Sequence, residues 1–229
     1  MQNLKLTATN ALPSRATIID NPEHAEERLQ ELHPDLTINL FRNAITGGLN
    51  RRNEVTRASA QTAAGVQQWL KTVEDLRTLL AAAQWNIHDQ QNCPFISSPD
   101  YAISIVVMTG NIETGKNGSE DPTNQAKKGA VAKNFIQKNR QLELFNSESH
   151  EHSKEKKKET QVWVLLYHYN KKLNEVRFEL SWPTGFDKKK ITKWGERLIL
   201  GKISNNPAEF TINRDEPNAP ATVDVEPKT

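Results

Sequence analysis

The chain has 229 residues, of which 36% are apolar and 25% are charged, and it carries a formal net charge of +2. Its single cysteine, Cys93, excludes an internal disulfide framework and a cysteine-rich zinc site. No apolar run approaches the ~20 residues of a membrane span, and residues 1–10 lack the apolar segment of a signal peptide. We therefore expect a cytoplasmic protein.

Charge is distributed unevenly along the chain. Residues 1–35 contain three basic and six acidic groups, and residues 205–229 contain two basic and five acidic groups. Each end therefore carries −3, and the interior carries +8. A basic middle between acidic ends can arise by chance, but it also suits a basic surface that is screened until a partner binds.

Residues 1–20 are predicted to be an extended or loose segment, and the rest of the first third of the chain has helical patterns. Asn21-Pro22-Glu23 is a helix start, because Asn caps, Pro suits the first helical position and Glu faces the positive end of the helix dipole. This helix is predicted to end near Leu32. A second helix, with its apolar residues between 36 and 45, is predicted to end at Gly47-Gly48.

Apolar residues between 53 and 84 recur every three or four positions, which predicts one long amphipathic helix, either continuous or broken near Gly65. Residues 21–85 are therefore predicted to form a helical layer.

The apolar pattern changes at Cys93. Tyr101–Met108 is apolar on both faces, which predicts a central strand. Residues 110–128 are polar and glycine-containing and are predicted to be a flexible loop, whereas 130–144 has weak helical spacing. Residues 146–160 are charged and of low complexity, which predicts a second flexible loop.

Residues 161–182 have the clearest β pattern. They are predicted to form an antiparallel hairpin that turns at 170–174, with one face of the return strand buried. One helical turn is predicted over 188–194, a further strand over 197–203 and a polar tail over 205–229.

These elements predict the α+β class. A single domain over 21–204 would contain a helical N-terminal layer packed on a small, mostly antiparallel β-sheet, which would lie within 93–204.

Few residues have the spacing of a catalytic or metal site. His150-Glu151-His152 does not match a zinc-site pattern, and no metal or other cofactor is expected. One catalytic alternative is a divalent-metal-dependent nuclease that uses Asp100 with Glu175 or Glu179, because paired carboxylates can hold the metal ion.

Basic residues give a stronger indication. They form an arginine cluster near the start of the predicted long helix, where the guanidinium fork and the helix dipole suit an anion, and a lysine group at the ends of the predicted hairpin. The arginines are Arg42, Arg51, Arg52 and Arg57, and the lysines are Lys171, Lys172, Lys188, Lys189, Lys190 and Lys193. Lysines at turns also promote solubility or contact acidic proteins, so a solvent-exposed surface and an acidic protein partner remain alternative interpretations.

The leading interpretation is a non-catalytic binding subunit of a larger assembly in a nucleic-acid-handling, antiviral defence or mobile-element system. Its basic surfaces would contact nucleic acid or an acidic partner. The alternatives are the nuclease and a purely protein-binding regulatory or structural subunit. The sequence identifies neither the partner nor the oligomeric state.

Overall fold

The computed structural model describes residues 16–148 and 160–205. The predicted tail from 206, most of the predicted loop at 146–160 and most of the predicted loose segment at 1–20 lie outside these residues. In chain order the elements are β1 (Thr17–Ile19), α1 (Pro22–Leu32), α2 (Ile38–Asn53), α3 (Ala63–Ala81), β2 (Asn86–Gln90), β3 (Cys93–Ser97), β4 (Ile103–Thr109), α4 (Ala130–Glu148), β5 (Gln161–Asn170), β6 (Glu175–Asp187) and β7 (Lys190–Ser204). The chain combines helices with one mixed sheet, as the predicted α+β class requires.

Helix α1 begins where the sequence predicts. The side chain of Asn21 accepts hydrogen bonds from the backbone N–H groups of Glu23 and His24, at 2.9 and 3.1 Å. Proline follows as the first helical residue, where its missing N–H is harmless. The predicted start and the predicted end at Leu32 are both confirmed.

Helix α2 continues through Gly47-Gly48, so the predicted end at these glycines is wrong. The two glycines are where α3 packs most closely. A Cβ on Gly48 would lie 2.1 Å from Oγ1 of Thr72, and a Cβ on Gly47 would lie 1.8 Å from Oδ2 of Asp75. Each glycine weakens a helix by about 0.5–1 kcal/mol, and here the close packing of the two helices offsets that loss.

The prediction of a continuous helix over 53–84 is also wrong, because the chain turns between Asn53 and Ala63, close to the alternative break at Gly65. Backbone hydrogen bonds across three or four residues, such as Ser59 N–H to Thr56 O, form successive turns there. The reversal lets α2 and α3 pack against each other, which a continuous helix could not do.

The sheet contains seven strands in the order β1-β7-β6-β5-β4-β3-β2. Four of the neighbouring pairs in the described chain are antiparallel and two, β1–β7 and β4–β5, are parallel. The predicted hairpin is β5–β6, and the predicted central strand is β4. Residues 17–19, predicted to be extended or loose, form the edge strand β1 beside β7.

Helices cover both faces of the sheet. In β5, Trp163, Leu165 and Tyr167 pack with residues of α1, α2 and α3 in one core. The alternate residues Val164 and Leu166 pack with α4 in a second core. The molecule is therefore a three-layer structure, whereas the sequence predicts a helical layer on one side only.

The β6–β7 hairpin bends at four irregularities in its register, between Phe178 and Phe186. Its tip contacts the segment that follows β4: Lys128 N–H donates to Lys189 O at 3.0 Å, and Ile191 N–H donates to Oδ1 of Asn124 at 2.7 Å. The helical turn predicted over 188–194 is wrong, because the chain reverses at Lys188 and Lys189 and then continues as β7.

Candidate anion-binding cleft

The cleft lies at the carboxyl ends of β4 and β5, which are parallel neighbours paired at Thr109 and Tyr167. It has a volume of about 690 Å³ and opens between the start of α3 and the 125–128 segment. Ligand sites in sheets that contain parallel strands commonly occupy such a crevice, with volumes of about 300–1,000 Å³. No acidic side chain is among its described lining residues.

The start of α3 forms one wall of this cleft. The first-turn N–H groups of a helix have no partner within the helix, and Thr62 at the N-cap provides no side-chain hydrogen bond. Ala64 and Gly65 line the cleft, and a Cβ on Gly65 would meet nothing within 4 Å. The positive end of the helix dipole therefore borders the cleft, where it favours an anion.

Arg52, from the end of α2, adds a formal positive charge to the same wall. Its Nη1 donates to Oε1 of Gln68 at 3.3 Å, and its guanidinium carbon lies 3.8 Å from the centroid of the Tyr169 ring. These two contacts orient the planar guanidinium, which suits bidentate binding of a phosphate or carboxylate.

The lining residues include two buried donors, Tyr167 and Gln68, which are 2% and 1% exposed. Neither the Tyr167 hydroxyl nor Nε2 of Gln68 has a hydrogen-bond partner among the described residues. Burial raises the pKa of Tyr167, so its hydroxyl remains protonated and can donate. An unsatisfied buried group costs about 1–3 kcal/mol. Both donor atoms are inaccessible to solvent, so a ligand in the open cleft does not reach them unless the surrounding side chains shift.

Lys128 lines the cleft from the segment that follows β4. Burial lowers its pKa; the neighbouring Cys93 thiol opposes this effect and the charge of Lys190 adds to it. None of the ion pairs within residues 16–148 and 160–205 involves Lys128. A partly buried cation without a protein counter-charge favours an anionic ligand.

Aromatic rings complete the lining. Nε1 of Trp69 donates to Val107 O at 3.1 Å, which holds the indole against β4. Nδ1 of His168 lies 3.0 Å from Gly110 O, and burial is the main cause of its lowered pKa. Because a carbonyl oxygen can only accept, Nδ1 carries the proton in neutral His168. The cleft thus combines positive charge and donors with flat ring surfaces.

Of the predicted basic residues, the structure brings Arg52, Lys188 and Lys189 towards this cleft. Arg52 is part of its wall, whereas Lys188 and Lys189 are exposed at the hairpin tip bonded to the backbone of Lys128. Lys127, also exposed, lies in the same segment. We call Lys127, Lys188 and Lys189 the rim lysines.

The other predicted arginines have different surroundings. Arg42 donates to Lys202 O at 3.2 Å and lies over the Phe178 ring. Arg51 pairs with Glu54 at 2.5 Å, and Arg57 is exposed in the turn between α2 and α3.

The remaining lysines also lie outside the lining. Lys171 and Lys172 are exposed at the turn beyond β5. Nζ of Lys190 donates to the carbonyls of Asn124 and Gln125, at 2.5 and 2.7 Å, so Lys190 fixes the 124–125 backbone. Lys193 is exposed on β7.

The three carboxylates of the nuclease alternative do not come together. Oδ1 of Asp100 accepts from Ser98 and from Ala102 N–H in the β3–β4 turn. Through the register of β4, β5 and β6, Glu179 is level with Met108. Asp100 precedes the first residue of β4, so at least roughly 17 Å of strand separates it from Glu179.

Glu179 is instead part of a buried ion pair with Arg197, and both side chains are fully buried. Its carboxylate accepts from two nitrogens of Arg197, at 2.7 and 3.1 Å, from Gly115 N–H at 2.8 Å and from Ser181 Oγ at 2.8 Å. Gly115 has φ +69, and its Cβ would lie 2.8 Å from Cβ of Arg177, so glycine lets this segment approach β6. Glu175 forms separate ion pairs with Arg177 and Lys202.

Within the described ranges, no three His, Cys, Asp or Glu side chains gather closely enough to hold a metal ion. No helix in the same ranges is both long and apolar enough to cross a membrane.

Comparisons with known proteins give no family for this chain. No family model matches it, and neither the curated proteins nor the solved structures include a significant match. The residues of the cleft are therefore the basis of the functional argument.

Sequence reasoning missed Lys128, Gln68, Tyr167 and the start of α3 as site components. The signals were weak: Tyr167 ends an apolar run, and Gln68 lies on a regular helical pattern. The parallel pairing of β4 with β5, which places Tyr167 beside Thr109 at the cleft, is not visible in the sequence.

Proposed function

We propose that this protein binds nucleic acid without chemically altering it, and that the cleft with its rim lysines is the contact surface. The observation that carries the proposal is the convergence of Arg52, Lys128 and the start of α3 on one cleft with no acidic lining residue. Positive charge and oriented N–H groups bind phosphate oxygens, and aromatic rings offer stacking surfaces for bases.

The rim lysines extend this positive charge beyond the cleft. Lys127, Lys188 and Lys189 are exposed, and the hydrogen bond from Lys128 N–H to Lys189 O fixes the hairpin tip beside the cleft. Exposed lysines contribute long-range attraction and counterion release rather than sequence readout. We therefore expect salt-dependent binding with little sequence preference.

A binding role also agrees with the chemistry of the lining. The described lining residues supply donors, positive charge and rings but no carboxylate that could hold a divalent metal ion. The carboxylates of the nuclease alternative are separated along the sheet, and Glu179 is neutralised by Arg197.

The test is fluorescence anisotropy with a short single-stranded oligonucleotide and with the matching duplex, over a series of salt concentrations. The double variant Lys188→Ala/Lys189→Ala should weaken binding about tenfold at low salt. Its plot of log affinity against log salt concentration should flatten by roughly one to two units, as expected when two phosphate contacts are lost.

The matched control is Lys138→Ala/Arg140→Ala, which removes the same charge from exposed positions on α4. This control should bind within about twofold of the natural chain, because the pair lies away from the cleft lining. An absence of binding at low salt, or equal losses in the two double variants, would refute the proposal.

A further inference from the structure

We infer that the acidic segment 206–229 of this chain docks on the cleft, so that nucleic acid must displace it to bind. Two observations carry the inference: the opposite charges of the segment and the cleft, and the place where the described fold ends. The displacement rests on the proposed function, whereas the docking itself can be observed without nucleic acid.

Charge separates this segment from the other two stretches that lie outside the described residues. Residues 206–229 contain five acidic and two basic groups and therefore carry −3. Residues 1–15 contain two basic groups and no acidic ones, and residues 149–159 contain three acidic and four basic groups. Of these three stretches, segment 206–229 is the one whose charge is opposite to that of the cleft.

The described fold ends beside the wall of the cleft, at Asn205. Its backbone N–H donates to Asn174 O at 2.8 Å, and its side chain donates to Oδ1 of Asn174 at 3.0 Å. The side chains of Asn205 and Asn53 exchange two hydrogen bonds, at 2.7 and 3.2 Å. Asn53 directly follows Arg52 of the cleft lining, and the hydroxyl of Tyr169, another lining residue, donates to Oδ1 of Asn174 at 2.8 Å. Segment 206–229 therefore starts next to the cleft.

The cations of the cleft are within reach of this start. Extended chain spans at most about 3.3–3.6 Å per residue, so the ten residues from 206 to 215 reach up to roughly 33 Å. The cleft has a volume of about 690 Å³, so Asp215 can approach both Arg52 and Lys128. A segment of the same chain acts at an effective concentration of up to about millimolar, so individually weak contacts are enough for docking.

Carboxylates suit the groups that the cleft presents. The planar guanidinium of Arg52 binds a carboxylate as well as a phosphate. Lys128 has no ion-pair partner among residues 16–148 and 160–205, so a docked carboxylate would supply a counter-charge to it. The acidic residues of the segment are Glu209, Asp215, Glu216, Asp224 and Glu226. They would compete with phosphate groups for the same two cations.

The five tryptophans allow the docking to be observed in the full chain. Trp69 lines the cleft, and the indole N–H signals of the four others are internal controls in an ¹⁵N NMR spectrum. The neutral-segment variant carries Glu209→Gln, Asp215→Asn, Glu216→Gln, Asp224→Asn and Glu226→Gln, and leaves every described residue unchanged. Without nucleic acid, this variant should shift the Trp69 signal, which Trp69→Phe assigns, and leave the other four signals in place.

Anisotropy then measures the competition with a single-stranded oligonucleotide. At low salt the neutral-segment variant should bind at least fivefold more tightly than the natural chain, and the gain should shrink at high salt because salt screens the charges. Two double variants separate docking from net charge. Asp215→Asn/Glu216→Gln should strengthen binding at least threefold, whereas Glu23→Gln/Glu27→Gln, which makes the same charge change at exposed positions on α1, should bind within about twofold of the natural chain.

The failures are distinguishable. An unmoved Trp69 signal, or gains of equal size in the two double variants, would refute docking on the cleft. A Trp69 shift without a gain in affinity would refute the displacement. If the Trp69 signal shifts but neither the natural chain nor the neutral-segment variant binds the oligonucleotide at low salt, the proposed function fails and only the docking stands.

Discussion

Two regions of the molecule bury polar and charged groups, and they are built in opposite ways. At the first, Glu179 and Arg197 are fully buried, and the carboxylate accepts four hydrogen bonds from Arg197, Gly115 and Ser181. At the second, the cleft, Tyr167 and Gln68 keep donors that the described chain does not satisfy. A closed network stabilises the fold, whereas each buried donor without a partner costs about 1–3 kcal/mol.

The largest expected effect comes from breaking the closed network. Arg197→Met leaves the Glu179 carboxylate buried without its counter-charge, which should lower the free energy of unfolding by about 3–5 kcal/mol. Urea denaturation measures the change. The double variant Glu179→Leu/Arg197→Met should recover most of the loss, because it removes both buried charges, and a single variant as stable as the natural chain would contradict a structural role for this pair.

A smaller effect is expected where α2 positions the wall of the cleft. Gly48→Ala places a methyl group 2.1 Å from Oγ1 of Thr72 and 2.7 Å from the backbone oxygen of Gln68. Overpacking of this kind should lower the free energy of unfolding by about 1–3 kcal/mol and displace Gln68. Thermal denaturation with Gly65→Ala as the control tests this, since alanine there meets no atom and should stabilise α3 by about 0.5–1 kcal/mol. Equal losses in both variants would show that the close helix contact is unimportant.

The smallest effect is a gain in stability at the open site. Lys128→Met removes a partly buried cation that has no acidic partner among residues 16–148 and 160–205. It should therefore raise the free energy of unfolding by about 1 kcal/mol while it weakens nucleic-acid binding. Denaturant unfolding and anisotropy measure the two quantities, and a loss of stability without a loss of binding would contradict the binding role of Lys128.

The Lys128→Met variant also tests how the stability of the chain depends on pH. Burial lowers the pKa of Lys128 in the folded chain below the ordinary 10.5, so the folded state holds this proton less tightly than the unfolded state does. The resulting penalty is complete below the lowered pKa and disappears as the pH rises through 10.5. The stability difference between the natural chain and Lys128→Met should therefore be smaller near pH 10 than near pH 7, and an unchanged difference would contradict this account.

Several local elements could be predicted because their signals lie within a few residues. The Asn21-Pro22 helix start and the β5–β6 hairpin are of this kind. Gly47-Gly48 shows the limit of such signals, because the low helix propensity of two adjacent glycines ordinarily indicates the end of a helix. Only the contact with Thr72 and Asp75 explains why the helix continues.

The candidate site was predictable in part. Arg52 and the tip residues Lys188 and Lys189 were recognised as basic, but nothing local to them indicates that they approach the same cleft. The bend of the β6–β7 hairpin and its bonds to the 124–128 segment bring the tip there. Lys171, Lys172 and Lys193 share the same sequence character and lie outside the lining.

By itself, the sequence determined the α+β composition, the positive charge of the middle of the chain and the helix and strand starts that depend on caps, turns and apolar spacing. Only the tertiary structure decided that β4 and β5 run parallel, that helices cover both faces of the sheet, and that Tyr167, Gln68 and Lys128 line one cleft. The physical reason is range. Capping and side-chain periodicity depend on residues that are a few positions apart in the chain. Strand pairing and burial join residues that are far apart, and their separation in sequence does not determine which strands pair or in which direction they run.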